Sequence, residues 1–277
     1  MQQFDIEQLK NTDSNIDARP GVYYFYDSDD TLLYVGESVN VRDRIYDHLR
    51  GYSRQYASKR IRDEAASVAI SPTAGKIGAQ LRELYAIKEQ KPLLNKRSRK
   101  KKKLTVAKMQ EGDAGYMKVD IERVDAIQKD DYANILGVYK SKHHAKEQIR
   151  SVAQDNGICL KRLGMSVRPG TGPCFGFQLD TCDGACVTEV SPEAHNQTIR
   201  TAFAKYMVKR WPYETAQTIT ETRSRREDTF VVDDWWLVDA RTTVGSETYA
   251  FFDETREEYM SVFNYDMYKV IANHLLT

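Results

Sequence analysis

Two short strand-forming runs, Val22-Tyr23-Tyr24-Phe25-Tyr26 and Thr31-Leu32-Leu33-Tyr34-Val35, flank Asp27-Ser28-Asp29-Asp30 and constrain the fold more than any other stretch. β-Branched and aromatic residues favour strands and an aspartate-rich tetrapeptide favours a turn, so a β-hairpin follows. With Tyr26 and Thr31 flanking the loop, antiparallel register sets Tyr23 directly opposite Tyr34, both side chains on one face. Asn40 then reads as a helix N-cap with Asp43 at the third helical position, and that helix carries Arg44 and His48 one turn apart on one face. A second helix is expected over 74–90, with Ile77, Leu81, Leu84 and Tyr85 as its apolar stripe. Glu83 falls about 130° from the centre of that stripe, between the small one-turn neighbours Ala79 and Ala86.

Tyrosine, arginine, histidine and glutamate are the side chains that metal-assisted cleavage of a phosphodiester needs. Such hydrolysis requires an activated water, neutralisation of charge on the phosphorus oxygens and help for the leaving oxygen. A carboxylate with cleared neighbours suits a hard divalent cation that keeps most of its waters. The alternatives are structural: a tyrosine pair serving as core and a solvated surface glutamate.

The chain has 277 residues, enough for two modest domains, each with a core. Hydrophobic residues make up 41% and charged residues 29%, proportions that fit a soluble protein and leave no run long enough to span a membrane. The start, Met-Gln-Gln-Phe-Asp-Ile-Glu, has neither a basic nor an apolar stretch, so a cytoplasmic location is expected. Net charge is only +1, yet Lys96, Arg97, Arg99, Lys100, Lys101, Lys102 and Lys103 are packed into one short run. Just beyond the Glu83 helix, such a run would bind DNA phosphates without reading sequence; if all seven contacted DNA, the log-log salt slope would approach about −6. A solvated interdomain linker is the other reading.

Four cysteines, Cys159, Cys174, Cys182 and Cys186, are the only ones and lie close together. Without an export signal, disulfides are improbable, which leaves a metal site or core thiols. Four thiolates suit a structural zinc or an iron-sulfur cluster, and the spacing does not choose between them.

Gly21-Val22-Tyr23, Tyr34-Val35-Gly36, Asn40, Arg44 and the run from Glu83 through Pro92-Leu-Leu-Asn95 resemble the GIY-YIG nuclease domain in its UvrC branch. The likeness is strong to about residue 103 and around the cysteines, and weaker elsewhere. It implies an α+β fold: a GIY-YIG endonuclease domain over 15–103, with a three-stranded antiparallel sheet and flanking helices. A smaller mixed α/β region would follow over 104–277, carrying a four-cysteine metal site at 159–186. By resemblance, Tyr23 and Tyr34 contact or activate the attacking water, Arg44 stabilises charge on the phosphate, and Glu83 holds Mg2+ or Mn2+. Asn40 and the basic run would contact DNA. The cysteines would bind a 4Fe-4S cluster, with Zn2+ as the alternative. Two positions depart from the UvrC pattern: Glu37 stands where lysine is usual, and His48 where tyrosine is common. Glu37 offers a further carboxylate, and His48 a proton shuttle or a structural histidine.

UvrC proteins carry a UvrB-binding segment and a second nuclease for which this chain is too short. The resemblance therefore implies a single incision, 3′ to a lesion in damaged double-stranded DNA, in nucleotide excision repair with UvrB on UvrA/UvrB-marked DNA. A GIY-YIG nuclease for defence or mobile-element cleavage and a non-catalytic DNA-binding protein of the same fold are the alternatives. Further along, strands are expected over 104–140, a helix over 142–156, a helix over 192–211, strands over 230–252 around Trp235-Trp236, and a closing strand and helix over 259–276. The paired tryptophans read as core in preference to base-stacking platforms.

Overall fold

The computed structural model describes residues 1–11, 16–50, 56–95, 104–124, 127, 129–166, 172–252 and 264–276. The basic run 96–103 lies outside them. Two compact units form: Met1–Lys101 together with Pro212–Thr277, and Lys102–Trp211.

The first unit begins with β1 (Gln2–Asp5) and α1 (Ile6–Asn11), then β2 (Gly21–Tyr26), β3 (Leu32–Ser38), α2 (Val41–Arg50), α3 (Tyr56–Glu64), β4 (Ser67–Pro72) and α4 (Lys76–Gln90). Its sheet has four strands in the order β1-β4-β2-β3, not the expected three, with every pair antiparallel. The extra strand is β1, which pairs with β4 from Gln2↔Ile70 to Asp5↔Ser67; four residues are too few to show a period in the sequence.

Alternation along β2 builds two cores. Tyr23 and Phe25 join Leu33, Ile45, Leu49 and Ile61 on the face covered by α2 and α3, while Val22 and Tyr24 join Val35, Ala86 and Ile87 on the face covered by α4. Asp27 closes the hairpin, its Oδ1 accepting from the N–H groups of Asp29 (3.0 Å) and Thr31 (2.8 Å). The hairpin closes one residue later than expected, Tyr26 pairing with Leu32 and not Thr31, and a bulge between Phe25 and Tyr26 adds a second residue of shift, so that Phe25 pairs with Tyr34 and Tyr23 with Gly36. Tyr23 is therefore not opposite Tyr34 but diagonal to it, and a shift of two leaves both on the same face. The edge of β3 is covered by Leu93, Leu94 and Asn95; the Asn95 amide accepts from the Val35 N–H (2.9 Å) and donates to its carbonyl (2.8 Å).

The second unit has a three-stranded antiparallel sheet, β6-β5-β7, formed by β5 (Leu104–Glu111), β6 (Met117–Val124) and β7 (Ile135–Tyr139). Helix α5 (Lys142–Asp155), a four-residue helix α6 (Phe175–Gln178) and α7 (Pro192–Phe203) follow. The helix expected to reach residue 211 ends at Phe203. Its core gathers Ala107, Leu136, Ile149, Leu163, Ile199 and Phe203.

Residues 212–277, expected to belong with the second region, instead join the first unit. They form a meander of β8 (Gln217–Arg223), β9 (Arg226–Asp233), β10 (Trp236–Val244) and β11 (Glu247–Ala250), then α8 (Tyr265–Leu275). Asp234 and Trp235 take positive φ, 49° and 68°, as the two central residues of a tight hairpin turn. Trp235 thus sits in a turn, not a strand. It is buried edge-on against Tyr268, with ring centroids 5.1 Å apart, which makes it core. Helix α4 lies against α8 as well as β2 and β3, so it is apolar over more of its circumference than a one-sided stripe requires.

Candidate active site and cysteine centre

Tyr23 and Tyr34 leave the hairpin on the α2 face, with ring centroids 6.2 Å apart. Asn40 caps α2 as expected: its Oδ1 accepts from the Asp43 N–H (3.3 Å) and its Nδ2 donates to Asp43 Oδ2 (2.6 Å). The cap sets the phase of α2, which directs His48 under the tyrosines. Tyr23 Oη lies 3.1 Å from His48 Nε2, and His48 Nδ1 lies 3.0 Å from Ser58 Oγ on α3. His48 and Ser58 are both buried. Burial first, and then Arg44, push the imidazole down to about 4, so near neutrality it is uncharged and has one N–H to give and one lone pair to accept. Ser58 had no sequence signal beyond a serine on the inner side of a short helix.

Gly36 is what lets the Tyr23 ring lie across β3. A Cβ there would sit 2.3 Å from Tyr23 Oη and 2.4 Å from its Cζ. Tyr23 is itself buried and has nowhere to turn. Gly36→Ala is expected to destabilise the chain by about 3 kcal/mol. Chemical denaturation measures this, and an unchanged midpoint would mean that the ring is displaced without cost.

Arg44, half-buried on α2, hydrogen-bonds Tyr23 and lies 3.9 Å from Asp47. Burial raises both phenols, Tyr23 well above the usual tyrosine range; the neighbouring Tyr34 adds to this at Tyr23, and Glu83 at Tyr34, while Arg44 works against it at both. Neither tyrosine rests as a phenolate. Across the β3 edge, Glu83 on α4 accepts a hydrogen bond from the backbone of Glu37. Its carboxyl is pushed up to about 7, by burial first and by the Glu37 carboxylate second. Glu37 is also raised by burial, against the pull of Lys76, a hydrogen bond with Gln80, and Arg44. The edge strand thus brings two phenols and a guanidinium from one face together with two carboxylates from the other. Concentrated negative charge on half-buried carboxylates fits a divalent cation, with Glu83 and Glu37 as the available oxygen ligands.

In the second unit, Cys159 Sγ lies 3.7 Å from Cys174 Sγ, and Cys174 Sγ 3.5 Å from Cys182 Sγ. These three sulfurs all lie within 4.8 Å of one another, a group able to hold a metal. Cys186 joins through its sulfur, which accepts the Cys174 N–H at 3.4 Å. Burial pushes the Cys159 thiol up to about 12 and the Cys182 thiol up to about 11. Among the described residues the cluster that packs around the thiols is small, with Tyr116, Cys159 and Ala185 buried in it, while Phe175 and Leu179 are exposed. A segment built that way needs a staple, and a metal held by the thiolates fits it.

A hairpin that sets two tyrosines beside an arginine-bearing helix, with a glutamate across the edge strand, defines a GIY-YIG nuclease domain. The UvrC-like GIY-YIG domain model matches residues 19–96, and the model of the UvrC/Cho excinuclease middle domain matches 108–205. Excinuclease Cho of Escherichia coli O157:H7 is 30% identical over 278 residues, covering 98% of this chain and 87% of that protein. Excinuclease Cho of Salmonella typhi is 30% identical over 233 residues, 83% of this chain and 76% of that protein. The UvrABC system protein C of Pseudomonas fluorescens is 29% identical over 199 residues, 72% of this chain but 31% of that protein. The chain belongs to the UvrC/Cho excinuclease family, within the GIY-YIG nucleases and on its Cho side. Among the described residues no helix is long and apolar enough to cross a membrane.

Proposed function

We propose that this chain is a metal-dependent endodeoxyribonuclease of nucleotide excision repair that makes the incision 3′ to a lesion. The observation that carries the reading is the convergence of Tyr23, Tyr34, Arg44 and Glu83 at one strand edge in a chain of this family. Hydrolysis adds the oxygen of water to phosphorus and breaks the bond to one sugar oxygen, which leaves with a proton. Arg44 stabilises the charge that builds on the phosphate oxygens. Tyr23 and Tyr34, protonated at rest, orient the attacking water through their hydroxyls. His48 and Ser58 hold Tyr23 in place, and the lone pair of the neutral His48 imidazole, 3.1 Å from that phenol, can accept a proton passed along it. Glu83, aided by Glu37, would hold Mg2+ or Mn2+, which supplies Lewis-acid stabilisation and a more acidic water. Asn40 and the basic run from Lys96 to Lys103 would follow the DNA backbone, and UvrB on marked DNA would deliver the damaged strand.

The cysteines would hold a structural metal centre. A 4Fe-4S cluster is the reading that the family resemblance gives. A single zinc is the second, favoured by sulfur separations of 3.5 and 3.7 Å, since thiolates around one tetrahedral ion at about 2.3 Å stand about 3.8 Å apart. Metal analysis of the purified chain separates the two.

The test is cleavage of a duplex with one bulky adduct, with and without UvrA, UvrB and ATP, in Mg2+ and then Mn2+. One cut a few nucleotides 3′ of the adduct, dependent on UvrB, is expected. Cuts that ignore the lesion would point to a nuclease of another purpose, and no cut in any condition to a binding protein.

A further inference from the structure

The two family models end at residue 205, yet the meander that follows reaches the helix that carries Glu83. Glu221 on β8 accepts from the N–H of Ile77 at 2.9 Å through one oxygen and from that of Gly78 at 2.8 Å through the other. One carboxylate thus takes two of the first-turn donors of α4 that have no partner inside the helix, where a negative charge also meets the positive end of the helix dipole. Asp228 on β9, wholly buried, accepts from the N–H of Ala74 at 2.6 Å and from Thr242 Oγ1 at 2.5 Å. The helix leaves room for both. A Cβ on Gly75 would sit 2.2 Å from Glu221 Oε1, and one on Gly78 would sit 3.1 Å from Asp228 Oδ2. Gly75 is the N-cap and has no side chain to cap with.

Next to Glu83, Arg82 donates to Ser71 Oγ at 2.6 Å and to the Phe251 carbonyl at 2.8 Å, with its guanidinium over the Phe251 ring. On the other side, α4 meets β2 and β3 through Ala86 and Ile87 against Val22, Tyr24 and Val35. Apolar contacts of that kind hold a helix down but fix its sliding and rotation weakly, whereas directional hydrogen bonds to its first turn fix both.

We propose that Glu221 and Asp228 are positioning residues of the cleavage site: they set the height and rotation of α4 and so bring the Glu83 carboxylate to the Glu37 backbone at the β3 edge. This rests on the nuclease reading above and makes the segment after the middle domain part of the cutting unit.

The test uses the full chain carrying Glu221→Gln, Glu221→Asp or Asp228→Asn, with Glu247→Gln on exposed β11 as control. Mn2+ affinity is measured without DNA, by the resonance of free Mn2+, and kcat and KM on the adduct duplex, all below the lowest melting temperature. Expected for Glu221→Gln and Asp228→Asn are a Mn2+ affinity weakened about tenfold and a kcat lowered about 10- to 100-fold with KM unchanged, since small displacements of a reacting group have effects of that size. Glu221→Asp should recover part of both, and Glu247→Gln should match the parent chain. Variants that melt lower but keep Mn2+ affinity and kcat within twofold would overturn the positioning role. A parent chain that neither binds Mn2+ nor cuts, with Glu83→Gln indistinguishable from it, would overturn the nuclease reading instead, and this assignment with it. Should Glu221→Gln not fold, Asp228→Asn and Glu221→Asp carry the same two readouts.

Discussion

Glu83→Gln is expected to lower the rate of cleavage on the order of 10³-fold while leaving affinity for duplex DNA within about twofold. Glutamine keeps the shape and the hydrogen bond from the Glu37 backbone but removes the charge that would hold the cation. The loss should fall on kcat, because phosphate contacts made elsewhere bind substrate and transition state alike. Single-turnover cleavage with a parallel binding titration checks this, and a variant that cuts at the parent rate would remove Glu83 from the metal site. The carboxyl adds a pH signature. Its value of about 7, against 4.5 for an unperturbed glutamate, means that cation affinity of the parent chain should rise about tenfold per pH unit below 7 and level off above. The stability consequence has the opposite sense. A carboxyl raised in the folded chain favours folding fully below about 4.5 and loses that contribution as pH rises through about 7. Without metal, Glu83→Gln should therefore gain melting temperature over the parent at pH 8 and little at pH 4.5.

Cys182→Ser is expected to abolish metal binding by the proposed cysteine centre and to unravel the segment around it. Residues 172–190 contain one four-residue helix and one three-residue helical turn, with Phe175 and Leu179 left in solvent, so few buried contacts remain once a thiolate is lost. Hydrogen-exchange protection there should fall on the order of 10³-fold, the equivalent of about 4 kcal/mol, with protection in the first unit unchanged. Any brown colour and bound iron, or bound zinc, should be lost together. Retained metal with unaltered protection would mean that Cys182 is a core thiol and not a ligand.

The local elements were legible in the residues themselves. Strand-forming runs around an aspartate turn, an asparagine three residues ahead of an aspartate, and an apolar stripe at helical spacing each act within a few residues, so β2, β3, α2 and α4 and the burdens they carry could be read in order. The gathering of four cysteines was equally plain. Register was not, because a loop one residue longer than expected and a bulge at Phe25 and Tyr26 together moved Tyr23 from Tyr34 to Gly36, and no turn signal marks either. Nor was the role of His48 decided by spacing on α2: its burial and its two partners come from Tyr23 on the sheet and Ser58 on another helix.

The sequence by itself determined the family, since the residue types of its motifs and their short-range spacing carry it. Tertiary structure alone decided which groups share an environment. The fourth strand β1, the return of the C-terminal meander to the first unit, and the grip of Glu221 and Asp228 on α4 join positions as far as 205 residues apart. Periodicity and turn chemistry are local properties of the chain, whereas a buried carboxylate finds its donor only where packing has already brought the two together.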